Sequence, residues 1–229
     1  MKQTVIAIVP AAGAGKRFGS ETNKAFFEIL GKPIVIRTLD VFQKSDVVSE
    51  IIPVFSEADI DRGLNLIETY GLDKIKRVAP GGRERQDSVY NALKLIDDRR
   101  AVIVIHDGVR PLLDDEILSR CVRALKDCDG VVTGVPLKDT VKEVKDGIAL
   151  KTLDRGNLMA IQTPQVFRHE ALLSAYDRIK NKNRIFTDDA AVVEAAGGKV
   201  TIVEGSHKNI KVTTREDAFI VEAFLRARE

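Results

Sequence analysis

The chain is poor in the residues that most often carry nucleophilic, redox or metal chemistry. It has two cysteines, Cys121 and Cys128, and three histidines in 229 residues. Two cysteines make neither a disulfide framework nor a zinc cluster. Their seven-residue spacing predicts one face of a helix with reduced thiols, as in a cytoplasmic protein. No G-x-S-x-G, H-E-x-x-H or C-x-x-C motif occurs, and three histidines speak against a histidine general base. No apolar run approaches the roughly 18 residues of a membrane span, and the first is too short for a signal peptide. The formal net charge is only +2, so no global basic field points to nucleic acid and any positive site must be local. Internal repeats and low-complexity segments are absent too.

What the chain does have begins at its amino end. The apolar run Val5–Val9 reads as a buried strand, and Pro10-Ala-Ala-Gly-Ala-Gly-Lys-Arg-Phe-Gly19 follows it directly. Ala11, Ala12, Gly13 and Gly15 let backbone N–H groups approach a polyanion, while Lys16, Arg17 and Lys24 add cations. The loop is neither of two common phosphate loops. A P-loop needs Ser or Thr after its Gly-Lys, and here Arg17 stands there. A dinucleotide fingerprint needs G-x-G-x-x-G opening a helix at once, but Gly13, Gly15 and Gly19 are spaced too widely and no helical period starts before Pro33. A long loop of this kind lets Arg17 and Lys24 reach over a ligand; an ordinary βα turn with solvated charges is the alternative.

Strand-like runs recur at Glu50–Phe55, Arg77–Ala79, Ala101–His106, Gly130–Val135 and Lys199–Glu204, separated by helical stripes. Val35, Leu39 and Phe42 form one stripe, and Val89, Ala92, Leu93 and Ile96 another, with Asp87 or Ser88 as its N-cap. Ile117, Cys121, Val122 and Leu125 form a third, and Thr213–Glu216 is a capping-box pattern for the last helix. Apolar strands alternating with amphipathic helices predict a three-layer α/β/α, Rossmann-like fold with a mostly parallel sheet, in one domain over residues 1–229. Residues 138–157 break the rhythm. They read as a polar β-hairpin around Asp146-Gly147, too polar for the central sheet. An isolated ribbon is marginal in water, so a dimerisation arm is favoured over a solvated flap.

Further clusters fall at strand ends or in loops, where α/β sheets bind ligands. Gly81-Gly82 leads to Ser88 and a helix N-terminus, with room for a ring against the backbone. Asp107 stands just past a buried strand, placed either to hold Mg²⁺ against phosphate oxygens or to pair with Arg110; His106 beside it reads as structural. Thr140 and Arg155 sit at the two ends of the hairpin; brought together they suit a phosphomonoester, although on the residues alone solvated surface groups are the preferred reading. Lys211 alternates with apolar neighbours and either points from a strand into the site or is a sheet-edge lysine. Thr163-Pro164-Gln165 and Thr187-Asp188-Asp189 place hydroxyls and carboxylates in loops. Transfer between phosphates needs no histidine base. A phosphomonoester is largely dianionic near neutrality, its second pKa being about 6. The obstacle is repulsion from the triphosphate, about 4 kcal/mol per close charge pair at an effective dielectric near 20.

PAAGAGKRF, GGRERQDSV, HDGVRP, KDT, LDR, TPQ, TDDA and NIKVT, in this order, closely resemble the 2-C-methyl-D-erythritol 4-phosphate cytidylyltransferases of the non-mevalonate isoprenoid pathway. The resemblance spans essentially the whole chain. It implies transfer of CMP from CTP to 2-C-methyl-D-erythritol 4-phosphate, with Mg²⁺, in a cytoplasmic homodimer that binds neither nucleic acid nor membrane. It implies that Arg17 and Lys24 stabilise the transition state at the α-phosphate. Ala11, Ala12, Gly13 and Gly15 then hold the triphosphate, Gly82 and Ser88 the cytosine, and Asp107 the metal. Arg155 and Lys211 hold the acceptor phosphate in line, with Thr140, Thr163 and Thr187 as further substrate contacts. A ribitol-5-phosphate cytidylyltransferase would use the same CTP loops; a UTP- or dTTP-using pyrophosphorylase and a non-catalytic nucleotide-binding subunit are the remaining alternatives. Two departures stand out. Asn23-Lys24-Ala25 replaces the family's usual Pro-Lys-Gln, which predicts a more mobile loop. Gly108 and Val109 replace the usual alanines after Asp107.

Overall fold

The computed structural model describes residues 3–13, 15, 18, 23–179 and 184–227. In chain order the elements are β1 (Val5–Pro10), β2 (Glu28–Ile29), β3 (Lys32–Pro33), α1 (Ile34–Lys44), β4 (Glu50–Phe55), α2 (Ile60–Thr69), β5 (Ala79–Pro80) and α3 (Arg85–Leu93). They continue as β6 (Val102–Ile105), α4 (Asp115–Ala124), β7 (Gly130–Pro136), β8 (Lys142–Lys145), β9 (Ile148–Thr152), β10 (Met159–Arg168), α5 (His169–Ile179), α6 (Asp189–Ala195), β11 (Val200–Glu204) and α7 (Arg215–Arg226). Seven strands form one sheet in the order β11-β7-β10-β6-β1-β4-β5. β10 runs antiparallel to β6 and β7, and every other pairing is parallel.

Strand alternation builds the two faces. Val5, Ala7 and Val9 of β1 pack with α1, α4 and α7, and the apolar side of α2 joins that layer. Ile6 and Ile8 face the other way, onto α3, α5 and α6. This is the three-layer α/β/α arrangement, and every residue of β1 except its terminal Pro10 is buried. No helix among the described residues is long and apolar enough to cross a membrane.

Several local expectations shift. β10 has no counterpart among the sequence-predicted strands, because Thr163-Pro164 reads as a turn. In the structure the ladder jumps from Gln162 to Gln165, so those two residues bulge within a strand and are not loop residues. β5 is only Ala79–Pro80, paired with Val54 and Phe55 at the sheet edge, where a proline costs no ladder bond. The N-cap of α3 is Glu84, not Asp87 or Ser88. Asp87 takes the N3 place of a capping box, and the Ser88 hydroxyl is engaged by Gly82. The capping box of α7 likewise moves one residue on, to Thr214 and Asp217. Cys128 lies beyond the end of α4, although both cysteines are free and buried; burial pushes the Cys121 thiol up to about 12.

The hairpin turns at Asp146 and Gly147, both left-handed at φ 51° and 79°, the pattern that short hairpin turns demand. All residues of β8 and β9 are exposed, among them the aliphatic side chains of Val144, Ile148 and Leu150.

Candidate functional site

A cavity of about 510 Å³ opens at the carboxyl ends of β1 and β6, within the size range of small-molecule sites, roughly 300–1,000 Å³. Its walls bring together Ala11, Ala12, Gly13, Gly15, Lys24, Gly82, Ser88, Asp107 and Lys211. These come from four separate stretches of the chain. Arg17, with Lys16 and Gly19, lies outside the described residues.

The first wall is the glycine loop. Gly15 takes φ +63°, a conformation that L side chains avoid, and Lys24 packs where a Cβ on it would sit. Asn23, which stands where the family usually has proline, is itself well tied. Its φ is −57°, close to the value a proline would impose. Its Nδ2 donates to the Ala11 carbonyl at 2.8 Å and to Asp59 Oδ2 at 3.0 Å, and its Oδ1 accepts from Ala25 N. These hydrogen bonds fix Asn23 against Ala11, and Lys24, the next residue, packs against Gly15.

The second wall is the turn into α3. Ser88 Oγ accepts from Gly82 N at 2.9 Å and donates to the Glu84 carbonyl at 3.1 Å. A Cβ on Gly82 would come within 2.3 Å of the Asp87 Cβ, and one on Gly81 within 2.6 Å of Ala12. Both glycines are therefore required by close backbone approach.

Asp107 is the electrostatic centre. Its carboxylate is almost fully buried and faces three cations. Oδ1 lies 3.3 Å from Arg85 Nε, and Oδ2 lies 3.2 Å from Arg110 Nε and 3.0 Å from Lys211 Nζ. Burial alone would push the carboxyl up; Arg85, Lys211 and Arg110 outweigh it and hold it far below the usual carboxylate range. Lys211 reaches this place from irregular chain, not from the expected strand. The Val212 N–H bond to the Val109 carbonyl, 2.9 Å, anchors it. Gly108 allows the turn to sit against β1, donating to the Pro10 carbonyl at 3.0 Å where a Cβ would touch Ala11. The turn that carries Gly108 and Val109 is thus tied on both sides.

Thr163 is turned inward. Its Oγ1 accepts from Asp107 N at 3.1 Å and lies 3.1 Å from His106 Nδ1. The other ring nitrogen of His106 meets the Arg110 carbonyl at 3.0 Å, so it must carry the proton. Nδ1 then accepts from the Thr163 hydroxyl. Burial lowers the His106 pKa to about 4 and keeps the ring neutral. Thr140, Arg155 and Thr187 do not line this cavity. Thr140 and Arg155 are exposed at the base of the hairpin, where the Arg155 guanidinium hydrogen-bonds the Lys138 carbonyl. Thr187 is exposed ahead of α6, whose N-cap is Asp188.

Sequence reading missed Arg85 and Asp189 as site residues. Arg85 Nη1 reaches Asp189 Oδ2 at 2.7 Å, across 104 positions of chain. No local signal pairs them.

The donor set suits Mg²⁺ in a limited way. Among the described residues no group of three or more His, Cys, Asp and Glu side chains gathers to hold a metal. Among the described lining residues the carboxylates are those of Asp107 and Glu84, and the Glu84 side chain is taken up in capping α3. Mg²⁺ at phosphate sites is commonly held by one or two carboxylates plus substrate phosphates, so one acid beside a polyanion loop is a sufficient protein contribution.

Known proteins resemble this chain along its whole length. Residues 5–227 match the family described as IspD, 2-C-methyl-D-erythritol 4-phosphate cytidylyltransferase. The 2-C-methyl-D-erythritol 4-phosphate cytidylyltransferase of Geotalea uraniireducens is 42% identical over 226 residues, 97% of each chain. That of Alkaliphilus oremlandii is 39% identical over 223 residues, covering 96% of this chain and 94% of the relative. The crystal structure of 4-diphosphocytidyl-2C-methyl-D-erythritol synthase from Anaerococcus prevotii superposes with a TM-score of 0.86 at 31% identity, over 98% of this chain and 97% of that one. Sequence match, fold and full-length coverage coincide, and the chain belongs to the 2-C-methyl-D-erythritol 4-phosphate cytidylyltransferase family of nucleotidyltransferases.

Proposed function

We propose that the protein transfers CMP from CTP to 2-C-methyl-D-erythritol 4-phosphate, releasing pyrophosphate and forming 4-diphosphocytidyl-2-C-methyl-D-erythritol. The observation that carries this reading is the convergence of a glycine loop, Lys24, the Gly82–Ser88 turn, Asp107 and Lys211 on one cavity. A triphosphate on the loop meets the backbone of Ala11, Ala12, Gly13 and Gly15 and the Lys24 ammonium. The cytosine lies against Gly82 and Ser88. The family resemblance assigns Arg17, with Lys24, the task of stabilising charge at the α-phosphate. The acceptor's phosphate oxygen is the nucleophile, already ionised, so the site's task is to hold two anions in line and neutralise them. Asp107 would hold Mg²⁺, which adds positive charge at the phosphate oxygens when bound. Lys211, its side chain 40% exposed, is the most accessible of the three cations around Asp107. It is the one placed to move onto the acceptor phosphate.

Arg155 and Thr140 require a second subunit in this reading. They lie off the cavity, and the exposed Val144, Ile148 and Leu150 of the hairpin need a covering surface. A homodimer joined through the 138–157 arm meets both needs, with the arm's Thr140 and Arg155 serving the partner's cavity. Thr163 contributes by holding the Asp107 backbone. Two free, buried cysteines suit the reducing cytoplasm.

The deciding experiment is pyrophosphate release with CTP, Mg²⁺ and methylerythritol phosphate. Turnover specific for CTP is expected. Equal turnover with ribitol 5-phosphate would overturn the acceptor, equal turnover with UTP the nucleotide, and CTP binding without turnover the enzyme.

A further inference from the structure

Asp189 is a fully buried carboxylate that the proposed reaction does not use. It opens α6 with two partners. Its Oδ2 holds Arg85 Nη1 at 2.7 Å, and its Oδ1 accepts from the Tyr176 hydroxyl of α5 at 2.6 Å. Its own backbone is fixed as well. The N–H groups of Asp189 and Ala190 both donate to Gln165 Oε1 at 3.1 Å. Gln165, buried on β10, uses its Nε2 on Asp188 Oδ2 at 2.7 Å. The carboxylate therefore has little freedom, and neither does the guanidinium it grips.

Arg85 is placed between two acids. It lines the cavity, its side chain is 26% exposed, and its Nε lies 3.3 Å from Asp107 Oδ1. Burial disfavours its charge, but Asp189 and Asp107 more than offset this. A guanidinium on a cavity wall beside a polyanion loop has an obvious competing partner, the phosphates themselves. Asp189 removes that choice by holding the far side of the fork. Arg110 grips the other Asp107 oxygen in the same fashion, anchored by its Nη1 bond to the Asn209 carbonyl at 2.7 Å. Each oxygen of Asp107 is thus held by an arginine that is itself tied down elsewhere.

We propose that Arg85 is a positioning residue for Asp107, and that Asp189, braced by Tyr176 and Gln165, is the anchor that keeps Arg85 on Asp107 and off the nucleotide phosphates. The inference rests on the cytidylyltransfer reading of the cavity. It separates catalysis from binding. Without the anchor, Arg85 swings toward the triphosphate; CTP still binds, but Asp107 is no longer held for the transfer step.

The test is Asp189→Asn, assayed for kcat and for the CTP KM, with Tyr176→Phe as the milder variant should the first fail to fold. Loss of a group that orients a site residue commonly costs roughly 10–100-fold. The expected result for Asp189→Asn is a kcat fall in that range with a CTP KM unchanged or lower, and a smaller kcat fall of the same kind for Tyr176→Phe. A merely structural role would loosen the α3 turn, displace Gly82 and Ser88, and raise the KM. In an Arg85→Met background the Asp189→Asn change is expected to alter kcat by less than about threefold, since contacts in one network are non-additive. A raised KM with unchanged kcat, or multiplicative losses in the double variant, would overturn the proposal. Its failure is separable from that of the function itself: wild-type turnover is the control, and a crystal structure of Asp189→Asn shows directly whether Arg85 has left Asp107. A guanidinium still on Asp107 in that structure refutes the anchor.

Discussion

Replacing Asp107 by asparagine should unfold the protein more easily, an unusual expectation for a residue placed in a reaction site. Three cations share this carboxylate, at 3.3, 3.2 and 3.0 Å. The Lys211 pair counts for little, because an ion pair with so exposed a partner is worth at most about 1 kcal/mol. Arg110 is the weightiest partner, because Arg85 keeps its ion pair with Asp189. Removing one member of a buried pair costs about 3–5 kcal/mol, because the surviving charge is left desolvated and uncompensated. For a chain of this size roughly 2–4 °C are lost per kcal/mol, so the melting temperature should drop by about 6–20 °C. The pH dependence has a definite sign. The folded carboxyl titrates far below its unfolded value, about 3.9. Its stabilisation is therefore fully present above that value and is lost as pH falls toward the folded pKa. The gap between wild type and variant should stay constant from pH 8 to 5 and close only below about pH 4. Scanning calorimetry measures both. Inorganic pyrophosphate should raise the melting temperature of Asp107→Asn by more than that of wild type, because it replaces the missing anion. A variant that melts within about 2 °C of wild type at pH 7 would refute the cation-cage reasoning.

Gly82→Ala must push a Cβ to 2.3 Å from Asp87 Cβ; CTP affinity measured by calorimetry should fall at least tenfold, and affinity within threefold of wild type would contradict the close-approach argument. His106 is held neutral with its pKa lowered to about 4, so the unfolded chain takes up its proton first on acidification. Wild-type stability should decline between about pH 6.5 and 4 by up to roughly 3 kcal/mol, and urea titrations of His106→Gln across that range should show a flatter profile. Combined Val144→Ser, Ile148→Ser and Leu150→Ser substitutions should halve the mass seen by sedimentation and sharply lower turnover; an unchanged mass would dissociate the arm from dimerisation.

Much of the frame was legible from local pattern. The unbroken apolar run of β1, its glycine loop and the Asp146-Gly147 hairpin are all short-range signals, because burial periodicity and left-handed turn preference act over a few residues. The eight short motifs, in order, marked the family. β10 was hidden because Thr163-Pro164 carries a turn signal that the bulge absorbs within a strand. Thr163 was read as a hydroxyl for substrate, whereas strand pairing turns it onto Asp107 and His106.

The sequence by itself determined the layers and the hairpin at Asp146-Gly147, since both follow from hydrophobic spacing or backbone preference between near neighbours. The pairing of Asp107 with Arg110, three residues on, was legible too. Only the tertiary structure brought in the rest: Arg85, Lys211 and Asp189 meet through strand order and helix placement, and an ion pair carries no trace in local sequence of the distant residue that completes it.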